Sequence, residues 1–286
     1  MSGIDAIRLN FTPESLIALD VILALVLFGV ALDMKFADFK GIVSAPRGTV
    51  IGLVAHSLLL PAAAFLLTMA LKPAPSIALG MLLVASCPSG NISNFLVNYA
   101  RGNPALSVTI AAFSMLGSIL FTPFNLAFWG SMNPATQAIL QQVALSPWQV
   151  FGTILVLLVV PSVLGMGIAH RYPTFAARAR KPFRILSLAF FAVFVVGGLV
   201  ANLEFFMDYV PQVALFVFLL NALALALGYY AAKLARLPEA DRRAVSFEVG
   251  IQNSGFGLAL VFNFFGGLGG MAIVAAWWGI WHLIAG

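Results

Sequence analysis

The amino-acid sequence predicts an all-α polytopic membrane protein with nine transmembrane helices, and three observations carry that prediction. Of 286 residues, 62% are hydrophobic and 9% charged, with a mean hydropathy of +1.02, whereas a soluble domain carries about 25% charge. The apolar residues stand in continuous runs of about 20, which fits spanning helices and excludes the alternating pattern of a transmembrane β-barrel. Thirteen of the fifteen Lys and Arg residues fall in alternate connections, as the positive-inside rule demands of a chain that weaves through a bilayer.

The first run, 15–32, follows a tail, 1–14, without the basic stretch of a cleavable signal peptide, so it is expected to persist as a helix. The further runs are 49–71, 76–100, 105–129, 147–169, 185–203, 209–234, 244–265 and 268–285. Connections after the first, third, fifth and seventh runs hold Lys35, Lys40 and Arg47; Arg101; Arg171, Arg178, Arg180, Lys181 and Arg184; and Lys233, Arg236, Arg242 and Arg243. Only Arg8 and Lys72 lie on the other side. The amino terminus is therefore expected outside, and the carboxyl terminus in the cytoplasm, of an inner (plasma) membrane. This topology accounts for the net charge of +5 without a nucleic-acid partner. The longest connection, 130–146, is uncharged and contains the turns Asn133-Pro134 and Ser146-Pro147. None is long enough for a soluble domain, so function is expected inside the membrane.

The lone cysteine, Cys87, excludes an internal disulfide and a Cys-based zinc site, and three histidines leave little for a multi-His metal centre. Trp277, Trp278 and Trp281 fit an interfacial belt or helix packing, and the Gly197-Gly198 and Gly266 to Gly270 clusters fit close helix approach or tight turns.

Two runs are interrupted. The third contains Cys87-Pro88-Ser89-Gly90-Asn91-Ile92-Ser93-Asn94, where Pro88 removes a backbone donor and Gly90 frees the chain. The eighth contains Glu248-Val249-Gly250-Ile251-Gln252-Asn253-Ser254-Gly255. One kink is readily repaired by neighbouring helices, but paired broken segments in the two halves of a chain point to the binding site of a transporter. Glu248 costs at least about 2.5 kcal/mol inside a bilayer. No Lys or Arg stands at comparable depth, so its counter-charge is expected from outside the chain as a proton, a metal cation or a substrate. Oxygen ligands from Glu248, Gln252, Ser93, Asn94 and Ser107, with freed carbonyls, suit a hard cation such as Na⁺.

At these residues the sequence resembles the bile acid:sodium symporter family. The resemblance rests on both breaks, together with Arg101-Gly102-Asn103 and Ala105-Leu106-Ser107-Val108. It implies a panel domain of helices 1, 5 and 6 (15–47 and 147–208) and a core domain of helices 2–4 and 7–9 (48–130 and 209–286). A loop, 131–146, would connect them, with 1–14 as an extracytoplasmic tail. Inverted repeats would pair helices 1–4 with 6–9, and helices 3 and 8 would cross at their breaks. By position, one sodium site would use Ser93, Asn94, Ser107 and Glu248, with Ala111 standing where the family has a Thr. A second would use the Glu248 and Gln252 side chains, the Val249 and Ile251 carbonyls and a helix-2 residue, here His56 in place of the family's Gln. Asn91, Asn253, Ser254 and His282 would face the substrate, although Leu283 replaces an Asn of the family. One or two Na⁺ ions are thus implied.

The function expected is import of an organic anion, bile-acid-like or a small carboxylate, by sodium symport through alternating access, in a monomer within the lipid bilayer. His56 and Ala111 leave open a proton-coupled or uncoupled carrier of the same fold, and Cys87 leaves open a metalloid oxyanion carrier. An enzyme is not expected: His56 and Ser93 supply residue types for an intramembrane protease, but nothing in their spacing brings them together.

Overall fold

Proline opens six of the described helices, because its fixed φ suits the first turn and its missing N–H has no intrahelical partner there. In the computed structural model, which describes residues 3–9, 12–32, 46–90, 92–143, 152–201 and 203–286, a one-turn α1 (Gly3–Ala6) precedes α2 (Pro13–Ala31) and α3 (Pro46–Leu71). The third apolar run splits into α4 (Pro75–Ser86) and α5 (Ser93–Tyr99). Next come α6 (Pro104–Met132), α7 (Pro134–Val143), α8 (Gly152–Arg171), α9 (Pro173–Ala201) and α10 (Leu203–Leu234). The eighth run splits into α11 (Glu239–Gly250) and α12 (Ser254–Phe265), and α13 (Gly269–Ala285) closes the chain. Lys35, Lys40, Asn91 and the Ser146-Pro147 junction lie outside the described residues.

The chain is thus an all-α polytopic membrane protein. Among the described residues, 46–71, 104–132, 152–171 and 206–234 are long and apolar enough to cross a bilayer. Two expectations about extent need correction. Much of the connection 131–146 is helical, as α7: the Asn133 side chain caps its start by accepting from Ala135 N–H at 3.0 Å, and Thr136 and Ile139 are buried. The sixth helix begins at Pro173 rather than near residue 185, because Ala176 and Ala179 pack on Leu32 and so hold the basic segment in helical form.

Both α3 and α8 contain a wide π turn, at Ala55–Leu59 and Leu155–Val159, followed in each by an X-Pro pair, Leu60-Pro61 and Val160-Pro161. A proline cannot donate to the carbonyl four residues back. For Pro61 that carbonyl belongs to Ser57, and Asn125 of α6 donates to it at 2.8 Å.

Helix packing forms two groups. α2 lies against α8 and α9, while α4 packs on α3, α6 and α13, and α10 packs on α11 and α13. From Ser76 to Ser86 every residue of α4 is buried. The amino-terminal segment belongs to the second group: Leu9 N–H donates to Gly267 O at 2.9 Å and Gly269 N–H to Ile7 O at 2.9 Å, while Asp5 Oδ1 accepts from Ser76 N–H at 2.8 Å at the start of α4. The turn that receives Ile7 and Leu9 holds Gly266 and Gly267 at φ of 54° and 68°, a conformation glycine adopts without steric cost.

Candidate functional site

The site grows from the two breaks, where α4 and α11 end and leave carbonyls without intrahelical donors. Neighbouring helices supply them. Thr122 Oγ1 of α6 donates to Ser86 O at 2.6 Å, and Asn221 Nδ2 of α10 donates to Gly250 O at 2.8 Å. The interrupted segments then pair with each other as a short antiparallel ribbon. Ser89 bridges Gln252, Gly90 N–H donates to Ile251 O at 2.8 Å, and Asn253 N–H donates to Pro88 O at 2.9 Å. Gly90 is required by proximity, since a Cβ there would lie 2.9 Å from Gln252 O.

Glu248 stands on the apolar face of α11 with Ala244 and Val245 and is fully buried. Its Oε1 accepts from Ser93 Oγ at 2.7 Å and Ser107 Oγ at 2.5 Å, and its Oε2 accepts from Ser89 Oγ at 2.5 Å. No Lys or Arg is among these partners. Ser107 Oγ also lies 2.7 Å from Asn94 Oδ1, and Ser93 Oγ lies 2.7 Å from Gly90 O. The structure thereby brings Ser93, Asn94, Ser107 and Glu248 together. It adds Ser89, which the sequence reading quoted within the break but did not single out.

The hydroxyl protons around Glu248 are too few for its acceptors. Ser89, Ser93 and Ser107 own one hydroxyl proton each, while both Glu248 oxygens, Asn94 Oδ1 and Gly90 O all lie within 2.7 Å of a hydroxyl. Acceptors outnumber donors around a buried carboxylate, an environment that calls for a positive charge. The acceptors are all hard oxygens, which would suit Na⁺ better than a soft metal. Among the described residues no cluster of His, Cys, Asp and Glu forms a transition-metal site.

The remaining sequence candidates fall around this centre. Gln252 is buried; its Nε2 donates to Val249 O at 2.7 Å, and its Oε1 has no hydrogen-bond partner. The Val249 and Ile251 carbonyls already accept from Gln252 Nε2 and Gly90 N–H, each with a lone pair to spare. His56, in the π turn of α3, donates Nδ1–H to the main-chain oxygen of Glu248 at 3.1 Å, so it holds the end of α11. Asn253 caps α12 by accepting from Phe256 N–H at 3.0 Å, and its buried Nδ2 is unpartnered. Ser254 is buried against α13, where a Cβ on Gly279 would lie 2.7 Å from its hydroxyl. His282 is buried with Nδ1 unpartnered, and Cys87 is buried. A second carboxylate within an apolar run escaped the sequence reading: Asp20 of α2, partly buried, accepts from the exposed Asn263 Nδ2 near the end of α12 at 3.1 Å.

The chain has counterparts among known proteins. The model of the Sodium Bile acid symporter family matches residues 20–209. The chain belongs to that family. The match ends before Glu248, but full-length relatives extend further. The "Uncharacterized sodium-dependent transporter YocS" of Bacillus subtilis (strain 168) is 29% identical over 266 residues, covering 93% of this chain and 79% of the relative. The human "Ileal sodium/bile acid cotransporter" is 29% identical over 240 residues, 82% of this chain and 66% of the relative. The rice "Probable sodium/metabolite cotransporter BASS2, chloroplastic" is 29% identical over 240 residues, 83% of this chain and 55% of the relative. The chain thus spans just over half to two thirds of the plant and human proteins. Membership makes this member of the symporter family a sodium-dependent secondary transporter, not an enzyme.

Proposed function

We propose that this symporter-family chain imports an organic anion with Na⁺ across the plasma membrane, and that Ser93, Asn94, Ser107 and Glu248 hold the ion. The observation that carries this reading is the fully buried carboxylate of Glu248, ringed by hydroxyls, short of protons and without a basic partner. An ion at Oε1 meets this demand. The Ser93 and Ser107 hydroxyls can turn lone pairs to it while their protons pass to Gly90 O and Asn94 Oδ1. A second ion is proposed beside Gln252, whose unpartnered Oε1 supports it, with the Val249 and Ile251 carbonyls and His56 around it.

The anion is proposed to bind beside Asn91, Asn253, Ser254 and His282. The Asn253 Nδ2 group, buried and without an acceptor, supports a ligand that accepts hydrogen bonds, and the amino end of α12 favours negative charge. Two Na⁺ against one carboxylate would leave a charge that a monoanion neutralises. We read α2, α8 and α9 as a panel (15–47 and 147–208) and the second helix group as a core (48–130 and 209–286). The denser packing of α2, α8 and α9 on one another than on the second group supports movement of one group against the other. The full reading has nine spans, inverted repeats, an outside amino terminus and a monomer.

Uptake into proteoliposomes from a panel of carboxylates, with and without a Na⁺ gradient at fixed internal pH, tests the function. Na⁺-dependent accumulation of an acid, absent from Glu248→Ala, is expected. Full uptake at zero Na⁺ driven by a proton gradient would refute sodium coupling, and inhibition by the amine but not the acid form of one scaffold would refute the anion.

A further inference from the structure

The three serines around Glu248 are not equivalent. Ser93 and Ser107 each have a second acceptor at 2.7 Å, Gly90 O and Asn94 Oδ1 respectively, so either can release the carboxylate and keep its proton bonded. Ser89 has no such alternative. Its other neighbours, Ser93 Oγ at 3.4 Å and Ile251 O at 3.5 Å, are marginal, while Glu248 Oε2 lies at 2.5 Å. Oε2 in turn accepts from no other hydroxyl of this cluster.

We propose that Ser89 is a positioning residue of the cation site: its hydroxyl anchors Oε2, fixes the plane of the carboxylate and leaves Oε1 to the ion. This deepens the sodium reading of Glu248 and rests on it. The anchor is itself held in place. Ser89 N–H donates to Ser114 Oγ at 3.2 Å, and Ser114 Oγ donates to Ala111 O at 2.9 Å, so α6 fixes the Ser89 backbone. Ser89 is also the residue that bridges Gln252 in the ribbon. A single short side chain therefore connects the carboxylate to the backbone of the crossing. Oε1 already faces Ser93 and Ser107 at 2.7 and 2.5 Å, so an ion bound there meets a carboxylate held in place from the Oε2 side by Ser89. Ser93 and Ser107 adapt to the ion, whereas Ser89 stays bonded in both states.

The test measures Na⁺-dependent thermal stabilisation of the purified full-length protein, with choline as the control cation, alongside Na⁺ activation of uptake. A hydrogen bond to a charged group is worth about a tenfold change in affinity or more. Ser89→Ala is expected to raise the Na⁺ concentration for half-maximal stabilisation about tenfold, and the Na⁺ concentration for half-maximal uptake with it. Ser89→Thr, which restores the hydroxyl, is expected to return it to within about threefold. If Ser89→Ala does not fold, Ser89→Cys supplies a weaker donor of similar size and is expected to show the same direction of shift. Glu248→Gln separates the two readings. If Glu248→Gln keeps the wild-type Na⁺ response, the sodium reading itself fails. If it loses the response while Ser89→Ala or Ser89→Cys keeps the wild-type half-saturation, the anchor alone is refuted.

Discussion

Asn221 and Thr122 show how a broken helix survives at membrane depth, where a main-chain carbonyl without a donor has no water to turn to. Each spends its side chain on one carbonyl freed by a break, Gly250 O and Ser86 O. Asn221→Leu and Thr122→Val keep the volume and remove the donor. Each is expected to cost about 1–3 kcal/mol, the penalty of an orphaned buried acceptor, read as a lower melting temperature in detergent, and Thr122→Ser is expected to stay near wild type. The sequence pointed to the breaks but not to these donors. Pro88 and the polar run after Glu248 are visible in a linear string, whereas Asn221 lies 29 residues from its acceptor and Thr122 lies 36 from its own. Ser89 was hidden differently: it sits in plain view inside the motif, but only the antiparallel pairing with Gln252 turns its hydroxyl to the carboxylate.

At the scale of elements, the hydropathy runs were legible because lipid imposes continuous apolar surface, and they mark where most helices lie. They failed where amphipathic packing replaces that constraint, at α7 and along the basic start of α9. The join between α5 and α11 on the side assigned to the cytoplasm is polar. Asn103 Nδ2 donates to Asp241 Oδ1 at 2.8 Å, and Arg243 Nη1 donates to Ala100 O at 2.9 Å. Glu239, at the start of α11, faces Arg243 at 3.2 Å and Arg242 at 3.4 Å. Desolvation pushes its carboxyl up, but the Tyr229 hydroxyl and the two guanidinium groups outweigh this and hold it below its ordinary 4.5. A carboxyl lowered by folding stabilises above its unfolded value and loses that stabilisation as pH falls through the folded one. Glu239→Gln is therefore expected to melt slightly below wild type at pH 7, with the gap closing as pH drops below about 4.5. A gap that persists at pH 3 would remove the ion pairs as its cause.

For the whole molecule, the distribution of Lys and Arg predicts that Gly286 ends in the cytoplasm. A reporter active only in the cytoplasm, fused to the carboxyl terminus, is expected to be active, and a stable but silent fusion would overturn the nine-span topology. The same reading treated residues 1–14 as a plain tail, because nothing in Ile7-Arg8-Leu9 announces a partner more than 250 residues away. Folded, that segment is stitched to the turn before α13, and its Asp5 reaches the start of α4. α2, which packs with the other helix group, begins at Pro13, only four Cα steps beyond Leu9. Four steps of extended chain reach about 14 Å. While Leu9 holds Gly267, this leash caps how far the outer end of α2 can separate from the turn before α13. A movement of the two helix groups that carries the start of α2 further than this from Leu9 must first release the Leu9 bond to Gly267.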